Sequence, residues 1–369
     1  MAEEEESKVT PWEVSGEIDY DKLTKDFGVS IISDKIKKRF SKAHPLLRRG
    51  IYFANRDFEK WLAAHDQGKK VSVMTGRGSS GKMHIGHLVP MIVAKSLQDE
   101  FNCNVYIAIS DDEKFYVKEG LTFEQSMENA KDNILDIIAL GFDPKKTFIF
   151  QDFKYTEIYT YAARVAKRIN YSTAKATFGL KPEMNLGWTF YPSMQTAHIL
   201  FPQFKEGRHM TVVPVGIDQD PFIRLTRDIA EHRDFGFEKP AALHAKFIPS
   251  LFGGAKMSTT DDGVIFLSDY PDDVKRKINR NAFSGGQPTL EEHRKKGGNT
   301  EVDIPYQYLK MFFEDDDKKL KKIHDDYKSG KLLSGEIKKI LIDKVNDFLK
   351  HHQAEKEKAK KKINSFLLK

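Results

Sequence analysis

Residues 75–90, TGRGSSGKMHIGHLVP, restrict the fold of this chain more than any other stretch. A short apolar run of β type, residues 71–74, leads into them. Glycines follow at 76, 78, 81 and 86. Apolar residues then recur at Ile85, Leu88, Val89, Ile92 and Leu97, a helical period. The spacing predicts strand, glycine loop, helix N-terminus. Backbone N–H groups and the helix dipole favour an anion at such a junction. Glycine lets the backbone approach that anion without a Cβ in the way. His84 and His87 are three residues apart, so both lie on one helical face there. Two imidazole donors beside an anion can stabilise charge growing on a phosphate. The spacing is not that of a P-loop, because no Gly-Lys-Ser/Thr closes the loop. Pro90 falls late for a first turn and predicts a kink, or a helix start later than Ile85.

Beyond this stretch, short β-rich runs keep alternating with amphipathic segments. Residues 104–110 (NVYIAIS) and 147–151 (TFIFQ) read as strands. Residues 122–140 read as a helix with a Thr122–Gln125 capping box, burying Met127, Ala130, Ile134, Ile137 and Ile138 and stopping at Gly141. A second strand-helix unit, MTVVPVGIDQDPFIRLTRDIAEH, follows at 210–232. This is an α/β pattern, a Rossmann-type parallel sheet covered by helices. Ligands bind such sheets at the carboxyl ends of the strands. Residues 75–90, 110–114 and the loop after 210–215 all fall at such ends.

The flanks divide the chain further. Residues 1 to about 10 are acidic and read as disordered. Trp12, Tyr20 and Phe27 then anchor a hairpin or short helix, and residues 44–68 read as helical around Phe53, Phe58, Trp61 and Leu62, with Gly68 as the stop. The division is an N-terminal extension at 1–70, a catalytic domain at 71–269 with an insertion at about 152–208, and a helical domain at 270–369. In the last, residues 334–350 carry Ile337, Ile340, Leu341, Val345 and Phe348 on one face, and residues 351–362 are strongly basic.

Composition sets the class. A chain of 369 residues, 40% hydrophobic and 31% charged, suits a globular protein of more than one domain. Sixty Lys and Arg against 54 Asp and Glu permit a polyanionic partner without demanding one. Lys-rich helices could equally be solvated surface. The single cysteine, Cys103, excludes an intramolecular disulfide and a Cys-rich zinc site, and makes the reducing cytoplasm the expected compartment. Residues 3–6 are acidic, unlike a signal peptide, and no apolar run approaches a membrane span.

Other polar residues suggest chemistry. Gly216-Ile217-Asp218-Gln219 closes a strand, where Asp218 either caps a helix or, with Gln219, binds a ribose and an amine. Lys256-Met257-Ser258-Thr259-Thr260 follows a glycine pair. It is either a surface loop or a mobile arm whose one lysine, Lys256, neutralises departing phosphate. Arg77 and Lys114 are further phosphate candidates. Asp111-Asp112-Glu113-Lys114 reads as a surface turn rather than a metal site, since three adjacent carboxylates in a loop cannot all face one ion. No protein-bound metal is expected; any Mg2+ would accompany a bound phosphate ligand.

Taken together, HIGH at 84–87 and KMSTT at 256–260 resemble the two signatures of class I aminoacyl-tRNA synthetases. The resemblance narrows through VTPWEV, IDYDKL, LLRRGIYFANRD, SDDEKF, IDQDPFIRLTRD, AFSGGQPTLEEHRKKGG and FFEDDDKKL to the tryptophanyl-tRNA synthetases of archaea and eukaryotes, over nearly the whole chain. It implies tryptophan activation with ATP, transfer to tRNA(Trp), a homodimer and a helical anticodon-binding domain. By this resemblance His84, His87, Lys256 and Ser258 are catalytic. Thr75, Gly76, Arg77, Gly78, Gly86, Lys114, Gly216, Asp218 and Met257 join them around ATP. Glu113, Gln195 and Gln219 face the amino acid. The relatives carry Tyr at the position of Met74, Gln at Ala108 and Pro at His198. Met74 and Ala108 then become apolar walls, and His198 becomes the expected reader of the indole N–H. A tyrosyl-tRNA synthetase and a non-catalytic RNA-binding paralogue are the alternatives.

Overall fold

The computed structural model describes residues 8–9, 14–15, 19–254, 257 and 263–368. The acidic start of the chain, Trp12 and all of 256–260 except Met257 lie outside them. Strands β1 (Lys8–Val9) and β2 (Val14–Ser15) pair antiparallel, and a helix, Tyr20–Phe27, follows. Both the hairpin and the short helix expected of this segment are present. The helix begins at an Asp19 cap and ends at Gly28 in the left-handed region (φ 61°).

Seven strands form the central sheet: β3 (Ser30–Ile31), β4 (Tyr52–Arg56), β5 (Val71–Gly78), β6 (Asn104–Ser110), β7 (Thr147–Gln151), β8 (Met210–Gly216) and β9 (Ala241–Ala245). Their order is β3-β4-β9-β8-β5-β6-β7. The five from β9 to β7 run parallel, and β4 and β3 add antiparallel at one edge. The central runs are nearly continuous in apolar residues, as strands covered on both faces require. The chain moves outward from β5 to β6 and β7, then returns to place β8 on the other side of β5. That reversal puts the crevice of the sheet between the carboxyl ends of β5 and β8.

The region 44–68 departs from the expected helix. It holds a helical turn, Pro45–Arg48, then strand β4, then a helix, Phe58–Asp66. Pairing of β4 with β9 overrides the helical spacing of its rings. Residues 1–70 therefore supply two strands to the same sheet as the glycine-rich segment. Trp61 is fully buried and its indole N–H donates to Ser72 O at 2.9 Å, tying this helix to β5. A buried ring of this size stabilises by about 2–3 kcal/mol.

Residues 152–208 form three helices, Glu157–Ala166, Tyr171–Phe178 and Leu186–Glu206, with a second apolar core centred on Phe150, Met194 and Phe201. Beyond residue 270 every regular element is helical. The last long helix, Ser334–Ala359, outruns its expected end at 350 and packs on Phe123–Ile138, where His352 Nε2 and Lys356 Nζ each lie 2.9 Å from the buried Asp136 carboxylate. The chain then returns to the sheet: Ile149 N–H donates to Phe366 O and Leu368 N–H to Ile149 O, covering the β7 edge. Among the described residues no helix is long and apolar enough to cross a membrane.

Candidate active site

β5 runs four residues further than the apolar pattern suggests, so Gly76 and Gly78 belong to the strand, opposite Ala108 and Ser110 of β6. A Cβ on Gly76 would lie 3.1 Å from Ala108 O, so the strand pair demands a residue without one. A single helical turn, Ile85–His87, precedes the α-helix Leu88–Phe101. The late start leaves Pro90 in the first turn, where its missing N–H has no intrahelical acceptor to serve. Backbone bonds from Ile85 N to Ile265 O (3.1 Å) and Leu267 N to Met83 O (2.9 Å) pin the turn against residues 265–267.

The two imidazoles stack, with centroids 3.5 Å apart. His84 N–H donates to His87 Nδ1 at 3.1 Å. His87 therefore carries its ring proton on Nε2, as a donor. Burial, helped by the charge of Arg77, lowers the His84 pKa to about 3. Its Nδ1 is buried without a partner among the described residues. His84 is thus a neutral hydrogen-bonding group.

Two cavities open at the crevice and share a wall made of Gly76, Arg77, Gly78, Pro90, Gly216 and Gln219. The first, of about 310 Å³, is closed by Met74, Thr75, Ala108, Gln195 and His198, with Glu113 and Lys114 at its polar side. The second, of about 300 Å³, holds His84, Gly86, His87, Asp218 and Met257. Each has the size of a small-molecule site. Every described residue that the resemblance puts at ATP or the amino acid lines one cavity or both; Lys256 and Ser258 lie outside the described residues.

Arg77 lies in the shared wall. Its Nη1 bonds the carbonyl of Gly78, while Nε and Nη2 are buried without partners among the described residues. Burial lowers its pKa to about 10, and Glu113 opposes that shift, so it stays charged at neutral pH. Gln219 Nε2 donates to Asp218 Oδ2 at 3.0 Å and orients that carboxylate toward the second cavity's residues. A Cβ on Gly86 would fall 2.8 Å from Met257 Sδ, so the two signature segments meet there without intervening atoms. Met257 is itself held by a bond from its N–H to Ile248 O at 2.9 Å.

The segment 111–114 is not a surface turn. It is the first turn of a helix, Asp111–Val117, with Asp111, Asp112 and Glu113 all buried. Asp111 accepts from Gln151 Nε2 (2.6 Å) and Phe153 N (3.2 Å), and Asp112 from Tyr159 OH (3.2 Å). Only Glu113 and Lys114, paired at 2.6 Å, face the first cavity. Among the described residues no group of three His, Cys, Asp or Glu side chains is placed to hold a metal.

Sequence reading missed the network beneath His198. The His198 Nε2 lies 2.9 Å from Asp152 Oδ1, both fully buried, and the buried Asp112 carboxyl feels the charge of Asp152. Burial pushes Asp112 up to about 9, with the charge of Asp152 adding to the effect, and burial also holds Asp152 well above the usual carboxylate range. Burial lowers His198 to about 4. The imidazole is neutral, with Nδ1 buried and unpartnered among the described residues. Tyr191 also closes this cavity, its OH donating to Gln195 Oε1 at 2.8 Å. Its spacing of four and seven residues from Gln195 and His198 is the signal that could have found it.

A parallel sheet with one cavity over HIGH and a second cavity behind a shared arginine defines a class I aminoacyl-tRNA synthetase. The chain belongs to the tRNA synthetases class I (W and Y), whose family pattern matches residues 66–350. It is 48% identical over 366 residues to the tryptophan–tRNA ligase of Sulfurisphaera tokodaii, covering 97% of this chain and 94% of that one. It is 47% identical over 369 residues to the tryptophan–tRNA ligase of Saccharolobus solfataricus, covering 98% and 95%. The structure resembles tryptophanyl-tRNA synthetase from Giardia lamblia with a TM-score of 0.87, at 38% identity over 95% of this chain and 96% of that one.

Proposed function

We infer that this enzyme is a tryptophan–tRNA ligase: it activates tryptophan with ATP to tryptophanyl-adenylate and transfers the aminoacyl group to tRNA(Trp). The observation that carries the chemistry is the pair of cavities meeting at Arg77. The first takes the amino acid and the second takes ATP. The tryptophan carboxylate attacks the α-phosphorus, a carboxyl O–P bond forms, and the bond to the β-phosphate bridging oxygen breaks to release pyrophosphate. A carboxylate nucleophile needs no general base, so positioning and charge stabilisation supply the rate. Arg77 brings two unbonded donors to the wall where carboxylate and α-phosphate meet. His87, through Nε2–H, and His84 face the phosphates as neutral groups, and Lys256 with Ser258 closes over the leaving pyrophosphate. Mg2+ arrives on the triphosphate.

Glu113, Gln195 and Gln219 hold the amino acid's ammonium end, and Met74 and Ala108 wall its ring. Asp152 accepts the Nε2 proton of His198, which leaves Nδ1 as an acceptor for the indole N–H. The helices beyond residue 270 bind the tRNA, and the enzyme works as a cytoplasmic homodimer. Neither alternative is favoured by relatives that match over nearly the full chain as tryptophan–tRNA ligases.

Amino-acid-dependent ATP–pyrophosphate exchange, run with tryptophan and tyrosine in parallel, tests the reading. Exchange with tryptophan alone is expected; preference for tyrosine, or no exchange, would overturn it. His198→Ala is expected to lower kcat/KM for tryptophan and to narrow its advantage over N1-methyltryptophan. Unchanged discrimination would remove His198 from the role.

A further inference from the structure

Tyr52 is a fully buried tyrosine whose hydroxyl has no hydrogen-bond partner among the described residues. It stands on β4, opposite Ala245 of β9, and it lines the second cavity. The cavity's lining divides by chemistry. Arg77, His84, His87 and Asp218 suit phosphates and a ribose. Ala245, Phe247, Ile248, Val89 and Met257 form an apolar remainder suited to a flat ring. Tyr52 belongs among the latter, tied to them by its strand pairing and by the bond from Lys246 N–H to Ile51 O at 2.8 Å. A buried hydroxyl left unbonded is unfavourable, and a phenylalanine would fill the same volume without that cost. Its presence beside a ligand cavity is explained if the ligand supplies the partner.

We propose that the Tyr52 hydroxyl hydrogen-bonds the polar edge of the adenine ring of ATP and so helps select the nucleotide. The proposal rests on the reading of the second cavity as the nucleotide site. It adds a residue to which neither the signature segments nor the amino acid pocket extends.

Tyr52→Phe in the full-length enzyme tests it. A contact made equally in the ground and transition states raises KM with kcat nearly unchanged. The KM for ATP is therefore expected to rise about three- to tenfold, the size of one neutral hydrogen bond. The affinity for tryptophan, read by fluorescence titration without ATP, is expected to stay the same. The ligand-free protein should melt at the same temperature or higher, because an unbonded hydroxyl has been removed. An unchanged KM for ATP, or a lower melting temperature with unchanged KM, would overturn the proposal. Photolabelling of the wild-type enzyme with 2-azido-ATP separates the two readings. Label within residues 245–257 supports the cavity assignment, and label elsewhere overturns that assignment and the proposal together. Label within 245–257 with an unchanged KM in Tyr52→Phe overturns the role of Tyr52 alone.

Discussion

His198, Asp152 and Asp112 give the site its most distinctive residue-scale chemistry. Three groups that are ordinarily charged or wet are held dry, and burial raises both carboxyls. The sign of the pH effect follows. Asp112 in the folded protein stays protonated up to about pH 9, whereas the unfolded chain releases that proton near pH 4. Between those values the folded state binds one more proton, so stability falls as pH rises. Buried histidines act oppositely, but only below about pH 6.5, where the unfolded chain protonates them. From pH 7 to 8.5 the carboxyl pair therefore dominates among these groups. The wild type is expected to lose up to about 1.4 kcal/mol per pH unit there. Asp112→Asn, which keeps a donor toward Asp152, is expected to flatten that slope. Urea unfolding at pH 7.0 and 8.5 measures it, and equal slopes in the two proteins would count against a protonated Asp112 in the folded state. None of this was legible in the sequence. Asp152 follows the run TFIFQ as an ordinary polar residue and meets His198 only because helix Leu186–Glu206 packs over β7.

At the scale of elements, the junction of β5 with the turn Ile85–His87 is where the proposed chemistry falls, and here the sequence was readable. Apolar spacing, glycines and histidines lie within residues 75–90, and short-range rules connect them. The contact between the two signature segments was not readable, since it joins Gly86 to Met257. Gly86→Ala places a methyl group 2.8 Å from Met257 Sδ and 3.1 Å from the His84 ring. The thioether is flexible and can give way; the imidazole, buried and stacked on His87, gives less. Single-turnover adenylate formation is expected to slow by roughly tenfold to a hundredfold, in line with misplacing a charge-stabilising group. Far-UV circular dichroism should be unchanged. A rate within threefold of wild type would show that the close approach at Gly86 is incidental to catalysis.

Across the whole molecule, the C-terminal helix is a structural brace as well as a basic surface. His352 and Lys356 belong to the basic run 351–362, yet both turn inward to Asp136, and Lys356 also meets Asp132 at 2.8 Å. Lys358 and Lys360 pair with Glu355 and Glu357 on the same helix. Lys361 and Lys362 remain exposed for a polyanion. Asp136→Ala removes the acceptor of the buried His352 and leaves Lys356 with Asp132 alone. The expected loss is about 3 kcal/mol or more of unfolding free energy, the usual result of removing one partner of a buried pair. Chemical denaturation reads it directly, and a loss below about 1 kcal/mol would assign these contacts to the screened surface class.

The sequence alone determined the elements whose causes are local. It specified the parallel α/β core, the strand-loop-helix junction, the capped helix at 122–140 and the helical C-terminal region, while most candidate residues of the two cavities came from the family resemblance. Hydrogen-bonding reach, periodicity and capping all act within a few residues, so one chain suffices to read them. Tertiary structure decided what depends on residues distant in the chain. It turned residues 52–56 into a strand by giving them β9 as a partner, and it buried the carboxylates of 111–113 under neighbouring elements. It set Asp152 beneath His198, and it drew the C-terminus back to the edge of β7. In each case the deciding energy is burial or pairing with a group far away in sequence, which local spacing does not encode.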